Sequence, residues 1–451
     1  MLSLFKSSLQ STKEQQGVLI TLLLVFTFCL AAALQIQGDI YGLRLNLADL
    51  ALPIIGVFIL TSLALQKSSW PQWGIPYAYL WLAALVIWMA MAFVSGYWRM
   101  GEVSSWALYN KLAGVVVLIA YFALGGWLAR NAGKSVYSFF MVGFLSSFLI
   151  VFSVAFILIV LKGVGIHEIP RIFPFEGLMG NRNAYSLLMV CSLVFLCVIA
   201  RRVPDRVPVW ILPLVFLMLP IVAVYNGSRA GWVLLALFVT FSFVAHFKWS
   251  LRHILLWLMG GALLAGLFYS FTDQHVMKRK QVVRIHKTVA VLQERGADVL
   301  QNIDKQDSHT RKIASELIRL RNAKDALALW RENPVIGAGL GSILHYQHQN
   351  YDPQQTYIDV MDSTPIWLLA ETGIVGLVLF VGFYFCVMRV LWRKAREQDN
   401  MAALFAEALF VFLLLFGLMS LFHEVMYTRY LWVMMGMGVA LRAKQSSAAT
   451  N

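Results

Sequence analysis

The sequence predicts an all-α polytopic integral membrane protein of about twelve transmembrane helices, with one large helical loop outside the membrane. Three observations predict it. The 451-residue chain is 59% hydrophobic and only 13% charged, with a mean hydropathy of +0.69, far too apolar for a soluble globule. Apolar runs of about twenty residues recur along it, separated by short polar breaks. Only the interval from Asp273 to Thr364 is long and too polar for a lipid core, and polar segments of this length are usually functional loops or small caps.

In order, the expected spans are about 17–36, 46–65, 77–95, 108–129 and 136–161, then about 183–200, 208–226, 230–247 and 252–272. After the loop come about 365–391, 401–421 and 424–441. The runs are apolar all round, which excludes the alternating strands of a membrane barrel. The chain thus divides into an N-terminal transmembrane bundle (1–272, about nine helices), a loop with its own helices (273–364) and about three C-terminal helices (365–451).

Lysine and arginine set the orientation. A cytoplasmic N-terminus places Arg201, Arg202, Arg389, Arg393, Lys394 and Arg396, among others, on the cytoplasmic side. The opposite short loops carry chiefly Arg44, Arg99, Lys162, Arg171, Arg182 and Arg229. The positive-inside rule therefore puts both termini in the cytoplasm and the long loop outside, which for a bacterial inner-membrane protein is the periplasm. The first sixteen residues are polar for too long to be a signal peptide, so the first span is read as retained. The formal charge of +14 is spread over loops, as expected for topology signals and contact with anionic membrane lipids rather than nucleic acid. Cys29, Cys191, Cys197 and Cys386 all fall in apolar runs and form no disulfide or metal framework.

Charges at the outer membrane edge are costly and need a partner or a ligand. Three sites carry them. Gly180-Asn181-Arg182-Asn183 opens the sixth span, where free backbone N–H groups favour an anion. Asn226-Gly227-Ser228-Arg229-Ala230-Gly231 is a short turn that pins Arg229 at the surface. Arg319 and Arg321 lie on a helix expected from about Ser308 to Arg331. One such arginine alone is more often a snorkelling side chain among lipid phosphates. Several together make a bidentate clamp for a pyrophosphate. Asn181, Arg182, Arg229, Arg319 and Arg321 are therefore the candidate pyrophosphate-binding residues.

Past that helix, Asn333-Pro334 is a stop, and Gly337-Ala338-Gly339-Leu340-Gly341 lacks the Gly-Lys-Ser/Thr ending of a phosphate loop, so it reads as a tight turn. His345, His348 and Asp362 are the candidate catalytic bases, since histidine or a desolvated carboxylate can take a proton from a sugar hydroxyl. Asp362 stands where the chain re-enters the membrane, and burial there would raise its pKa usefully. The His345/His348 spacing lacks a third fixed ligand, so no metal is expected.

Taken together, the Ser-Arg-Ala-Gly turn, the loop arginine about fifteen residues before Pro334, Asn-Pro-Val-Ile-Gly-Ala-Gly-Leu-Gly, and Leu-Leu-Ala-Glu-Thr-Gly-Ile-Val-Gly-Leu resemble the O-antigen ligase and polymerase family of bacterial envelope glycosyltransferases. The motifs cover roughly Gly180 to Leu377. The resemblance implies a GT-C-like helical fold, closest to O-antigen ligase. It implies cofactor-free, metal-independent, inverting transfer of a glycan from undecaprenyl pyrophosphate to lipid A–core oligosaccharide. In a polymerase the acceptor would be a second lipid-linked repeat. Arg229 matches the family's turn arginine, and Arg319 its loop arginine, with Arg321 adjacent. The family has His-Asn eleven residues before the glycine matching Gly373; here Asp362-Ser363 stands instead, leaving the base to Asp362 or to His345 or His348. A basic outer face suits a phosphorylated core acceptor and favours the ligase. The rival reading, a lipid-linked-glycan transporter, expects charges near the bilayer midplane; Glu371 is the clearest such residue.

Overall fold

The computed structural model describes residues 25–31, 45–53, 76–131, 135–163, 181–244, 251–271, 310–351, 363–397 and 401–440. Its long elements are all helices: α1 (Pro76–Met100), α2 (Gly114–Asn131, entered through a π-helical turn, Ala107–Ala113), α3 (Ser135–Gly163), α4 (Arg182–Arg202), α5 (Ile211–Asn226), α6 (Arg229–Val244), α7 (Leu251–Phe271), α8 (Thr310–Glu332), α9 (Ser342–Asn350), α10 (Thr364–Ala395), α11 (Met401–Ser420) and α12 (Arg429–Val439). No β-strand occurs among the described residues. Six helices there are long and apolar enough to cross a membrane: Tyr77–Met100, Ala107–Ala129, Val136–Leu161, Arg182–Arg202, Thr364–Ala395 and Met401–Ser420. Ile211–Val224 and Leu255–Leu267 are shorter apolar stretches. The protein is thus an all-helical, polytopic membrane protein. Of the expected spans at about 17–36 and 46–65, the described parts are the helical pieces 25–31 and 47–53.

The C-terminal helices are built into the N-terminal bundle: α12 packs on α2, α10 on α1, and α11 on α4 and α3. Helices in lipid gain little from apolar burial against each other, so close backbone approach has to supply the attraction. α2 and α12 achieve it with glycine. A side-chain carbon on Gly125 would overlap the Val433 carbonyl oxygen, and one on Gly436 would overlap that of Phe122. Beside this crossing Phe383 stacks on Trp432 at 5.6 Å, with Phe122 edge-on to Phe383 at 5.5 Å.

One expected boundary moves. The run at about 424–441 becomes a helix only at Arg429, because 421–428 is an irregular segment. Eleven residues of helix span only about 16 Å, too short to cross a bilayer alone. The start of α12 is fixed from outside. The Asp49 carboxylate accepts from Arg429 through Nη2 at 2.8 Å and Nε at 3.1 Å, and from the Tyr121 hydroxyl at 2.8 Å. Such a fork is the favourable geometry for a desolvated ion pair.

The two faces differ. α4 ends on Arg201 and Arg202, which pair with Glu407 of α11, and Arg202 also donates to the Ala395 carbonyl at the end of α10. The starts of α4 and α10 and the end of α11 therefore meet on the opposite face.

Candidate functional site

On that face the site begins with a helix cap. The Asn181 side-chain oxygen accepts the N–H groups of Asn183 at 2.9 Å and Ala184 at 3.2 Å, which starts α4 and makes Arg182 its first residue. α5 ends at Asn226, where Gly227 takes a left-handed conformation (φ 64°) and turns the chain within two residues. Ser228 then caps α6, its carbonyl accepting from Trp232 N–H at 3.1 Å and its hydroxyl from Gly231 N–H at 3.1 Å. Buried Asn226 ties the two helix starts together: its side-chain oxygen accepts from Ser228 N–H at 3.1 Å, and its amide donates to the Arg182 carbonyl at 3.3 Å.

The network continues to a residue far along the chain. Ser228 Oγ donates to Asn183 Oδ1 at 2.8 Å, and the Asn183 amide nitrogen lies 3.1 Å from Nδ1 of His423. With the Asn183 oxygen taken by Ser228, its amide nitrogen faces the imidazole as a donor, which puts the ring proton on Nε2. The His423 carbonyl accepts from Thr364 Oγ1 at 3.2 Å. The starts of α4, α6 and α10 therefore converge on the 421–428 segment, and each presents the positive end of its dipole.

His423 is 8% exposed. Burial, and secondarily the Arg319 guanidinium, push its pKa down to about 4, so the ring is neutral at physiological pH. An unfolded histidine titrates near 6.5. Stability is therefore full above about pH 6.5 and is lost as pH falls toward 4, where the unfolded chain binds a proton that the fold excludes. Thermal melts of the detergent-solubilised protein are expected to show this decline over pH 6.5 to 4, and His423→Gln is expected to reduce it. A decline of equal size in His423→Gln would remove His423 as its cause.

The predicted residues separate. Arg182 is the half-buried first residue of α4, and Arg229 is the first residue of α6, its side chain lying outside the described part. Arg319 acts electrostatically on His423 and so belongs to the same region. Arg321, two residues on, stacks its guanidinium 4.1 Å over the Tyr351 ring, whose hydroxyl donates to Asp325 at 3.0 Å. Asn181 uses its side-chain oxygen as the α4 cap. His345 faces the end of α1, with Nδ1 3.4 Å from Glu102 and Nε2 2.8 Å from Gln349. His348 is exposed on α9, and Asp362 lies outside the described residues. Its neighbours Ser363 and Thr364 are buried at the start of α10.

The glycine run has a specific role. α10 breaks at Gly373, at φ 68° and ψ −173°, and the loop after α8 fills the break. Ala338 N–H donates to the Ala370 carbonyl at 2.8 Å, Gly339 N–H to Glu371 at 3.1 Å and Leu340 N–H to Ala92 of α1 at 3.0 Å. In return Ile374 N–H donates to the Pro334 carbonyl at 2.9 Å. The loop's N–H groups are spent on helix carbonyls, so it is a backbone clamp that fixes α8 and α9 to the membrane helices.

Residues 213–381 match the family model described as O-antigen ligase. Over that stretch the chain is similar to the O-antigen ligase family. No curated protein matches the chain. The matched stretch runs from α5 through the Arg229 turn, α8 and the glycine clamp to the middle of α10, so it contains Arg229, Arg319, His345 and Asp362. It supports a function of the O-antigen ligase or polymerase type. Asn183 and His423, from outside that stretch, complete the polar network at its surface. Sequence reasoning missed His423, and likewise Glu424 and Lys111; the available signal was charge or imidazole within or between apolar runs, above all Lys111 inside the fourth expected span.

Proposed function

We propose that the protein is an O-antigen ligase that transfers a glycan from undecaprenyl pyrophosphate to lipid A–core oligosaccharide at the periplasmic face of the inner membrane. The observation that carries the reading is the convergence of the starts of α4, α6 and α10 on the segment holding His423, on which Arg319 acts electrostatically, in a chain whose residues 213–381 match the O-antigen ligase model. Positive dipole ends and guanidinium forks suit a doubly charged pyrophosphate, with the prenyl tail between the helices. Asp362, one residue ahead of buried Ser363, takes the proton of an acceptor hydroxyl. The hydroxyl oxygen attacks the anomeric carbon from the face opposite the leaving group, giving inversion. The bond from that carbon to the pyrophosphate oxygen breaks, and its electron pair stays on the lipid pyrophosphate, where the arginines stabilise it. No metal or cofactor is called on. Basic residues at the far ends of α4 and α10 support cytoplasmic termini and a periplasmic site.

The test is reconstitution with lipid-linked donor and, in turn, lipid A–core or a second lipid-linked repeat as acceptor, with and without chelator. Product on lipid A–core in chelator is expected; product only on the second repeat makes the protein a polymerase. Arg182→Ala and Arg319→Ala are each expected to lower kcat/KM about 100-fold, and Arg319→Lys to recover only part, because a lysine cannot form the fork. Full transfer by both alanine variants would rule out the clamp.

A further inference from the structure

Lys111 lies in the π-helical turn ahead of α2 and is 1% exposed. A buried ammonium is expensive unless fully paired, and π-turns inside helices collect at functional positions. Its Nζ pairs with Glu424 and sits 4.1 Å over the Trp367 ring and 5.4 Å from that of Tyr427. A second carboxylate, Glu371, also acts on it electrostatically. Glu371 accepts from Trp367 Nε1 at 2.7 Å and from the N–H groups of Gly341 and Ile343, which open α9. Lys111 is therefore a joint. On one side it reaches α9 through Trp367 and Glu371. On the other it holds Glu424, the residue after His423, in the irregular 421–428 segment.

The segment starts as a turn off α11, with the Phe422 and His423 N–H groups on the Met419 carbonyl, but is not helical from there to Arg429, and its place relative to α4 and α6 decides whether His423 meets Asn183. We propose that Lys111 and Glu424 are positioning residues for glycan transfer: their ion pair sets the 421–428 segment so that His423 stays joined to the rim formed by the starts of α4, α6 and α10. The inference rests on the glycan-transfer reading. It assigns the pair no contact with either substrate, so donor binding survives its loss while the productive geometry does not.

The experiment compares wild type, Lys111→Met, Glu424→Asp and the double variant Lys111→Met/Glu424→Leu, all full-length and reconstituted with lipid-linked donor and acceptor. The single Lys111→Met leaves Glu424 and buried Glu371 without their ammonium and is expected to lower both the melting temperature and kcat. The double variant removes the ion pair, while Glu371 keeps its bonds from Trp367 Nε1 and Ile343 N–H, and it is expected to regain most of the melting temperature, since apolar replacement of a buried pair is often neutral. Its kcat is expected to stay at least 10-fold down with donor KM within about threefold of wild type. Glu424→Asp keeps the charge and retracts it by one methylene; a near-normal melting temperature with kcat about 10-fold down is expected. Wild-type kcat in the double variant or in Glu424→Asp overturns the proposal, as does a loss carried by donor KM. If the double variant fails to fold, Glu424→Asp decides alone. No product from the wild-type protein fails the glycan-transfer reading itself, and the positioning role falls with it.

Discussion

Gly373→Ala is expected to leave almost no folded protein. The backbone there, at φ 68° and ψ −173°, lies in a region open essentially to glycine alone, which costs another residue about 1–3 kcal/mol. The added carbon would overlap the Val335 carbonyl oxygen and lie 2.5 Å from the Val335 carbonyl carbon and 2.6 Å from Gly337 N. All three are backbone atoms of the clamp, so no side-chain rotation relieves the contact. Moving the clamp breaks the Ala338–Ala370, Gly339–Glu371 and Ile374–Pro334 hydrogen bonds, each contributing about 1 kcal/mol net and more once its buried groups are left unpaired. The sum approaches the whole stability of an ordinary domain, about 5–15 kcal/mol. Size-exclusion chromatography of detergent extracts is expected to show aggregate in place of the wild-type peak. Gly260→Ala is the control, because the nearest atom to its added carbon in α7 is the end of a flexible side chain, Leu217 Cδ1 at 3.4 Å, and it is expected to behave as wild type. A Gly373→Ala protein that melted at the wild-type temperature would show that the break in α10 carries no structural weight.

The membrane helices were legible because their residues are apolar on every side, a signal that depends on nothing beyond about twenty neighbours. Gly373 was not, since it stands in an apolar run with Gly376 and nothing local marks one as a break and the other as helical. What marks it is the Pro334–Leu340 loop, more than thirty residues earlier, which accepts and donates across the gap. The candidate site divides on the same principle. Arg182 and Arg229 announced themselves through short motifs at span starts, and the structure adds that Asn226 and Ser228 tie those starts together. The bond from Asn183 to His423 crosses 240 residues, and the segment holding His423 reads as the polar edge of an ordinary span. Lys111 was missed for another reason: one lysine barely lowers the hydropathy of its run, and the carboxylates that face it, Glu371 and Glu424, belong to α10 and to the segment before α12.

Asp362→Ala is expected to lower kcat by about 10²- to 10⁴-fold while leaving the protein folded and donor KM nearly unchanged. The argument runs through its chain neighbours. Ser363 precedes α10, its carbonyl accepting from Trp367 N–H at 2.9 Å, and is 5% exposed, and Thr364 bonds the His423 carbonyl, so the chain enters the membrane helices at the polar network. His345 instead directs Nδ1 toward Glu102 at the end of α1 and Nε2 toward Gln349, and His348 is exposed. His345→Ala is therefore expected to cost less than 10-fold and His348→Ala nothing measurable. Asp362→Asn keeps the shape but cannot hold the proton, and it is expected to be as slow as alanine. Asp362→His supplies a base of another pKa, so part of the rate is expected to return, with the acid limb of the kcat profile shifted toward pH 6.5, the range of an ordinary imidazole. A structural role for Asp362 would leave that limb where it was. Full activity in Asp362→Ala together with collapse in His345→Ala would move the base to α9. The end of α1 at Glu102 would then become the acceptor side of the site, and the rim of α4 and α6 would hold the donor alone.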